Sequence, residues 1–171
     1  EELGWAPAHH GLSTVYDVCH NIAKIERRRV QESERELCVH RKGATRALPP
    51  GAPELPDRYR DVGQPVLIPG DMGRYSFVLA GRPGSEEAFC SSCHGAGRQM
   101  SRSAARRAAG KRDVTSELAS SGIILRATGR RTVLEEISEA YKDVAEVVEA
   151  VEGAGLAGRV ARLRPLAVIK G

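Results

Sequence analysis

Apolar and polar positions follow two different periods along the chain. Val15, Val18, Cys19, Ile22 and Ile25 recur at helical spacing, which predicts a helix over 15–30. Glu36 to Arg41 reads as a short strand, and the Gly- and Pro-rich stretch 43–65 reads as loop. Two short apolar runs, Pro65 to Ile68 and Ser76 to Ala80, predict buried strands, with Pro69-Gly70 closing the first. Residues 81–97 return to loop. An Ala- and Arg-rich segment predicts a helix over 98–110, Gly122 to Leu125 a strand, and 134–151 another helix with Val144, Val147, Val148 and Val151 on one face. Residues 159–169 predict a closing strand, and residues 1–14, with Gly4, Pro7 and Gly11, read as loop. Strands and helices mix without a βαβ rhythm, so the expected class is α+β, mixed sheets with flanking helices.

Composition narrows the picture. The chain has 171 residues, 41% apolar and 28% charged, enough for one domain with its own core. Aromatics make up only 4%, so that core must rest on Val, Leu, Ile and Ala. A formal net charge of +4 permits a nucleic-acid or phosphate partner without requiring one. No apolar run approaches the ~18 residues of a membrane span, and the start carries no export signal. The expected compartment is therefore the reducing cytoplasm, with Cys19, Cys38, Cys90 and Cys93 as free thiols. The chain opens Glu1-Glu2-Leu3-Gly4 without Met, which suggests part of a longer protein.

Four stretches could carry chemistry. Cys90-Ser-Ser-Cys93-His94 has the C-x-x-C-H spacing of haem attachment, and its two thiols and histidine also suit zinc. Only Met72 and Met100 could add a methionine ligand to haem, and zinc lacks a second ligand pair. The following His94-Gly95-Ala96-Gly97 suits a backbone cradle for phosphate. After it, Arg98, Arg102 and Arg106 would line one helix face toward an anion. On the helix expected over 15–30, His20 and Lys24 would share a face with Asp17 nearby, as a metal or phosphate site or an ordinary polar surface. Arg41, Lys42 and Arg46 surround Gly43, and Pro69 to Ser76 places two glycines at a strand end, where a ligand can approach the backbone.

Taken in order, these stretches resemble the RtcB family of RNA ligases. The matching motifs are Tyr16 to Lys24 (Tyr-Asp-Val-Cys-His-Asn-Ile-Ala-Lys), Val39 to Ala47 (Val-His-Arg-Lys-Gly-Ala-Thr-Arg-Ala) and Pro69 to Gly73 (Pro-Gly-Asp-Met-Gly). They continue with Cys93 to Arg102, Glu139 to Asp143 and Val168 to Gly171. The resemblance covers residues 1–171 as the C-terminal portion of an RtcB-like ligase domain. It implies a ligase that joins RNA 2′,3′-cyclic phosphate or 3′-phosphate ends to 5′-hydroxyl ends, using GTP and two manganese ions, in tRNA splicing or RNA repair. An activating protein partner is possible in this family.

By motif position, the resemblance implies that His94 is the nucleophile that becomes guanylylated. His20 matches a metal ligand and Asn21 a phosphate contact. Pro69, Gly70, Asp71, Met72 and Ser76 match nucleotide contacts, as do Gly95, Ala96 and Gly97. Tyr141 and Lys170 match contacts to guanine, and Lys42 and Arg102 match cations near the phosphates or RNA.

The chain also departs from the family pattern. Asp71 stands where Ser is usual, so a carboxylate would face a triphosphate, with Arg74 as a compensating cation. Arg74 and Tyr75 replace small residues and would crowd the guanine pocket. Cys90 stands where Gly is usual. The family's bridging cysteine and further metal histidines lie upstream, and His9, His10 and His40 do not match them. The expectation is that this chain alone binds manganese weakly and ligates nothing. The alternative is a divergent homologue that binds RNA or guanine nucleotide without catalysis.

Overall fold

The computed structural model describes residues 13–170. His9, His10 and Gly171 lie outside them. The elements run β1 (Asn21–Val30), β2 (Ser33–Lys42), β3 (Ala44–Arg46), β4 (Pro65–Ile68), β5 (Ser76–Gly81) and β6 (Ser91–Cys93). Then come α1 (Arg102–Ala109), α2 (Val114–Ser120), β7 (Ile124–Ala127), α3 (Arg130–Glu135), α4 (Val144–Gly153), β8 (Ala157–Leu163) and β9 (Ala167–Lys170). The strands form four small sheets, β1-β2, β3-β6, β4-β5-β8 and β7-β9, with only the last parallel. This is an α+β architecture. Among the described residues, no helix is long and apolar enough to cross a membrane.

Two large apolar clusters, with a smaller third around Leu48, Leu55 and Cys90, organise the described residues. One joins β4 and β5 to α4 through Val66, Ile68, Phe77, Leu79, Val144 and Val148. The other joins α1, α2, β7 and α3 through Ala105, Leu118, Leu125, Val133 and Met72. Ile68 belongs to the first and Met72 to the second, so the turn that leaves β4 bridges both. The alternating burial of β5, with Phe77 and Leu79 inward, follows the period of a sheet covered on one face.

Several expected elements differ. Residues 15–30 do not form a helix; from Asn21 the chain is the first strand of a long hairpin, paired Asn21↔Lys42 through Val30↔Ser33. The apolar spacing misled because the most deeply buried inward positions are charged: Glu26 and Arg41 pair inside while Ile25 faces out. Glu26 accepts two bonds of 2.9 Å from Arg41, whose guanidinium also donates to Ser91 Oγ and the Phe89 carbonyl. Burial pushes the Glu26 carboxyl up, but the hydrogen bond and charge of Arg41, with Arg28, outweigh it, and the net shift is downward.

The helix expected over 134–151 is two helices separated by a 3-10 turn at Ser138–Ala140, and Asp143 caps α4 by accepting from the Ala145 amide. The expected strand 159–169 is β8 and β9, in different sheets, separated around Pro165. The helix expected from Arg98 starts at Arg102, capped by Ser101. The two expected loops contain β3 and β6, which pair with each other, and α2 was not anticipated.

Candidate functional site

The β3-β6 ribbon explains how distant motifs meet. Cys93, the last residue of β6, pairs with Ala44, the first of β3. One residue earlier, the Gly43 amide donates to the His20 carbonyl at 3.0 Å. Gly43 has φ of +70°, a left-handed turn that suits glycine. His20 and His94 therefore stack, with ring centroids 4.2 Å apart and planes 30° from parallel. Asn21 Nδ2 lies 3.3 Å from His20 Nε2, and Lys42 is the register partner of Asn21. Burial first, and the neighbouring His20 second, hold His94 below the usual imidazole range. A neutral, half-buried imidazole keeps a lone pair for attack.

The haem and zinc readings fail here. Cys90 packs with Leu48 and Leu55, whereas Cys93 packs against the β4-β5-α4 cluster, so the two thiols serve different cores. Burial pushes both thiols up and keeps them protonated. Among the described residues, no group of three or more His, Cys, Asp or Glu could hold a metal ion. The described residues thus offer one side chain matched by the resemblance to a metal ligand, His20, where manganese takes about six donors. Those described residues do not fit a complete manganese site.

A cavity of about 480 Å³ opens between the turn after β4 and the end of β9. Its walls include Pro69, Gly70, Asp71, Met72, Ser76, Tyr141 and Lys170, seven of the expected nucleotide contacts. Gly70 is required there: a Cβ would stand 1.9 Å from the Tyr75 carbonyl oxygen, and its amide donates to Ser76 Oγ at 3.2 Å. Of the loop after His94, Gly95 abuts Pro69, Ala96 is buried in the first cluster, and Gly97 takes φ of +74°. The loop after His94 and the cavity thus share a wall at Pro69.

Both concerns about crowding and charge resolve geometrically. Asp71 does not project free. One carboxylate oxygen accepts from the amides of Gly73 and Arg74 and from Ser138 Oγ, and the other pairs with Arg74 Nε. Arg74 compensates the charge as expected, and it also donates to the carbonyls of Ser138, Tyr141 and Lys142. Tyr75 turns away under Arg162, 4.4 Å from ring centroid to guanidinium. Neither Arg74 nor Tyr75 lines the cavity, so the expected crowding is absent.

The basic stretches mostly do not face an anion. Arg106 pairs with Glu135, and Arg98 with Glu136 at 2.9 Å. Arg102 is exposed and reaches Glu135 only at 3.8 Å, so it stays available to a phosphate. Arg41 is buried with Glu26 and Arg46 donates to Gln64, which leaves Lys42 as the exposed cation of that group. His20 and Lys24 share no helix face, since the chain between them is extended from Asn21 onward. His40 lies on β2 beside Cys38, with 3.4 Å between Nε2 and Sγ. A larger groove of about 700 Å³ between α2, β7 and α3 holds none of the expected residues. Its Arg112 is engaged by Glu117 and Glu139.

Glu136 is the charged wall residue that sequence reasoning missed, beside the apolar Pro165 and Ala167. It lies just past the last residue of α3, and no spacing or motif distinguishes it from its neighbour Glu135.

Comparison with known proteins identifies the family. The family model described as "tRNA-splicing ligase RtcB" matches residues 2–171. A tRNA-splicing ligase RtcB of Aeropyrum pernix is 53% identical over 165 residues, 96% of this chain and 34% of the relative. One of Thermococcus kodakarensis is 55% identical over 161 residues, 94% of this chain and 33% of the relative. An RNA-splicing ligase RtcB of Mycobacterium tuberculosis is 54% identical over 160 residues, 94% of this chain and 37% of the relative. The chain belongs to the RtcB family, and it spans about a third of the length of these curated relatives.

Proposed function

We propose that this chain is the part of a GTP-dependent RNA ligase that carries the nucleophile and binds the nucleotide. The observation that supports it is the pairing of a neutral His94, stacked on His20, with an adjoining nucleotide-sized cavity. In this reading the guanine and ribose of GTP occupy the cavity against Tyr141 and Lys170. The Gly95-Ala96-Gly97 loop approaches the phosphates. A His94 ring nitrogen attacks the α-phosphorus, a phosphorus–nitrogen bond forms, and pyrophosphate leaves with the electron pair of the broken bond. The imidazole gives up its remaining N–H proton and stays linked to GMP.

An RNA 3′-phosphate oxygen then attacks this phosphorus and displaces the imidazole, which takes a proton back from solvent as it leaves; the 3′-end is then activated as a diphosphate. A cyclic 2′,3′-phosphate is first opened by water to the 3′-phosphate. The incoming 5′-hydroxyl attacks the RNA phosphorus, loses its proton and expels GMP. Lys42 and Arg102 are exposed cations suited to the RNA phosphates. Asn21 and His20 lie beside the α-phosphate position. Manganese would offset charge on the triphosphate, with His20 as one ligand and its other ligands outside the described residues. The binding-only alternative loses its two motives, because Asp71 is neutralised and the cavity is uncrowded.

The test uses the full-length protein and RNA pairs with defined ends. Joining is expected for 3′-phosphate or cyclic phosphate with 5′-hydroxyl, with GTP and manganese. Joining of 3′-hydroxyl to 5′-phosphate, or equal use of ATP, would contradict the proposal.

A further inference from the structure

Glu136 sits where four segments meet. One of its carboxylate oxygens accepts from Tyr141 Oη and from Lys170 Nζ, the latter at 3.3 Å. The other accepts from Arg98 Nη1 at 2.9 Å. The same Arg98 nitrogen donates to Tyr141 Oη at 2.9 Å, and the guanidinium lies 4.8 Å from the Tyr141 ring centroid. Arg98 follows the His94 loop, Tyr141 follows the 3-10 turn, and Lys170 ends β9.

Burial raises Glu136, but Tyr141, Lys170 and Arg98 together outweigh it, and the carboxyl stays ionised at neutral pH. Burial, with Glu136 beside it, keeps the Tyr141 phenol protonated. One anion therefore holds two cations and a phenol at the cavity wall.

We infer that Glu136 is a positioning residue for base selection: it fixes the Lys170 ammonium and the Tyr141 hydroxyl that face the purine. This inference rests on the nucleotide reading of the cavity above. A lysine side chain has four rotatable bonds and large rotamer entropy, so an unheld Lys170 would spread into solvent. Bound to Glu136, its ammonium has two N–H groups left for a ligand. The Tyr141 proton points to the carboxylate, which leaves the phenol oxygen partly free as an acceptor.

Guanine presents O6 and N7 as adjacent acceptors, whereas adenine presents an amino donor in place of O6. A fixed ammonium donates to the first and repels the second. Without Glu136 the ammonium is no longer fixed, and the distinction between the two bases weakens. Through Arg98 the same carboxylate also ties the cavity wall to the loop that carries His94.

The test compares Glu136→Gln with Glu136→Asp in the full-length protein. Equilibrium binding of GMP and AMP is measured beside KM and kcat for covalent labelling by GTP. Glu136→Gln should weaken GMP binding about 10- to 100-fold, the scale of a lost charge-assisted hydrogen bond, and leave AMP binding within about twofold. KM for GTP should rise while kcat holds within about threefold, with an unchanged melting temperature. Glu136→Asp should recover part of the selectivity. In a Lys170→Met, Tyr141→Phe background, Glu136→Gln should cost nothing further.

Unchanged GMP-over-AMP preference in Glu136→Gln would overturn the inference. So would a uniform fall of kcat, affinity and melting temperature in both variants. If the wild-type protein binds GMP selectively but takes no label, the ligase reading fails and the inference stands on binding alone. If it binds no guanine nucleotide, both fail.

Discussion

In the full-length protein, His94→Ala should abolish the proposed joining of RNA ends, by a factor of at least about 10³, while GMP still binds in the cavity. The separation follows from the geometry. His94 stands in the loop just past β6, stacked on His20, whereas the cavity is lined by the turn after β4 and by β9. Alanine removes the ring nitrogen proposed to attack and no wall of the cavity. The Gly95 backbone that abuts Pro69 stays in place. End-joining rate and GMP affinity, measured on the same preparation, check this. Parallel loss of both would mean that His94 acts by holding the structure.

The second large effect concerns the long hairpin. Glu26→Ala should lower hydrogen-exchange protection across β1 and β2 roughly a hundredfold, read on the full-length protein. Removing one partner of a buried ion pair costs about 3–5 kcal/mol, because the other charge is left without its counter-ion. Arg41 keeps its bonds to Ser91 and the Phe89 carbonyl, which places the loss near the lower end, about 3 kcal/mol. A two-stranded hairpin has little other stability in water, so the loss appears locally.

Acid has the same effect by a different route. The folded Glu26 carboxyl lies below its ordinary value, so its stabilisation is fully present above the ordinary carboxylate pKa of about 4.3 and is lost as pH falls through the lowered folded value. Protection of the hairpin, corrected for intrinsic exchange, should fall over that acid range in the wild type and stay flat in Glu26→Ala. Equal protection in both proteins at neutral pH would show that the ion pair does not hold the hairpin. The consequence reaches the site, because Arg41 also anchors Phe89 and Ser91, just before Cys93 and His94.

Where apolar residues formed the inward face, the sequence was readable. Strands 65–68 and 76–80 and the valine face of α4 follow their periodicity. Of the hairpin, 36–41 was readable as a strand within β2, but β1 was not, because Glu26 fills an inward position, against Arg41, that a hydrophobic count scores as exterior. The break inside 134–151 turns on the Asp143 cap and on the 3-10 turn that carries Ser138, which local periodicity does not encode. The Arg98, Arg102 and Arg106 row was visible, but its partners Glu135 and Glu136 arrive from the end of α3 and the residue after it.

The site divides in the same way. His20 and His94 were singled out as chemistry, yet only the pairing of β3 with β6 brings them together. The cavity residues were identified through family resemblance rather than spacing. Glu136 escaped both routes, since its role comes from tertiary contacts with Arg98, Tyr141 and Lys170.

The most direct measurement is to incubate the full-length protein with manganese and GTP labelled at the α-phosphate, and then to map the labelled peptide. One GMP per chain is expected on the peptide containing His94, through a bond that mild acid cleaves, as a phosphorus–nitrogen linkage requires. Label on another residue, or none on a folded, metal-loaded protein, would contradict it.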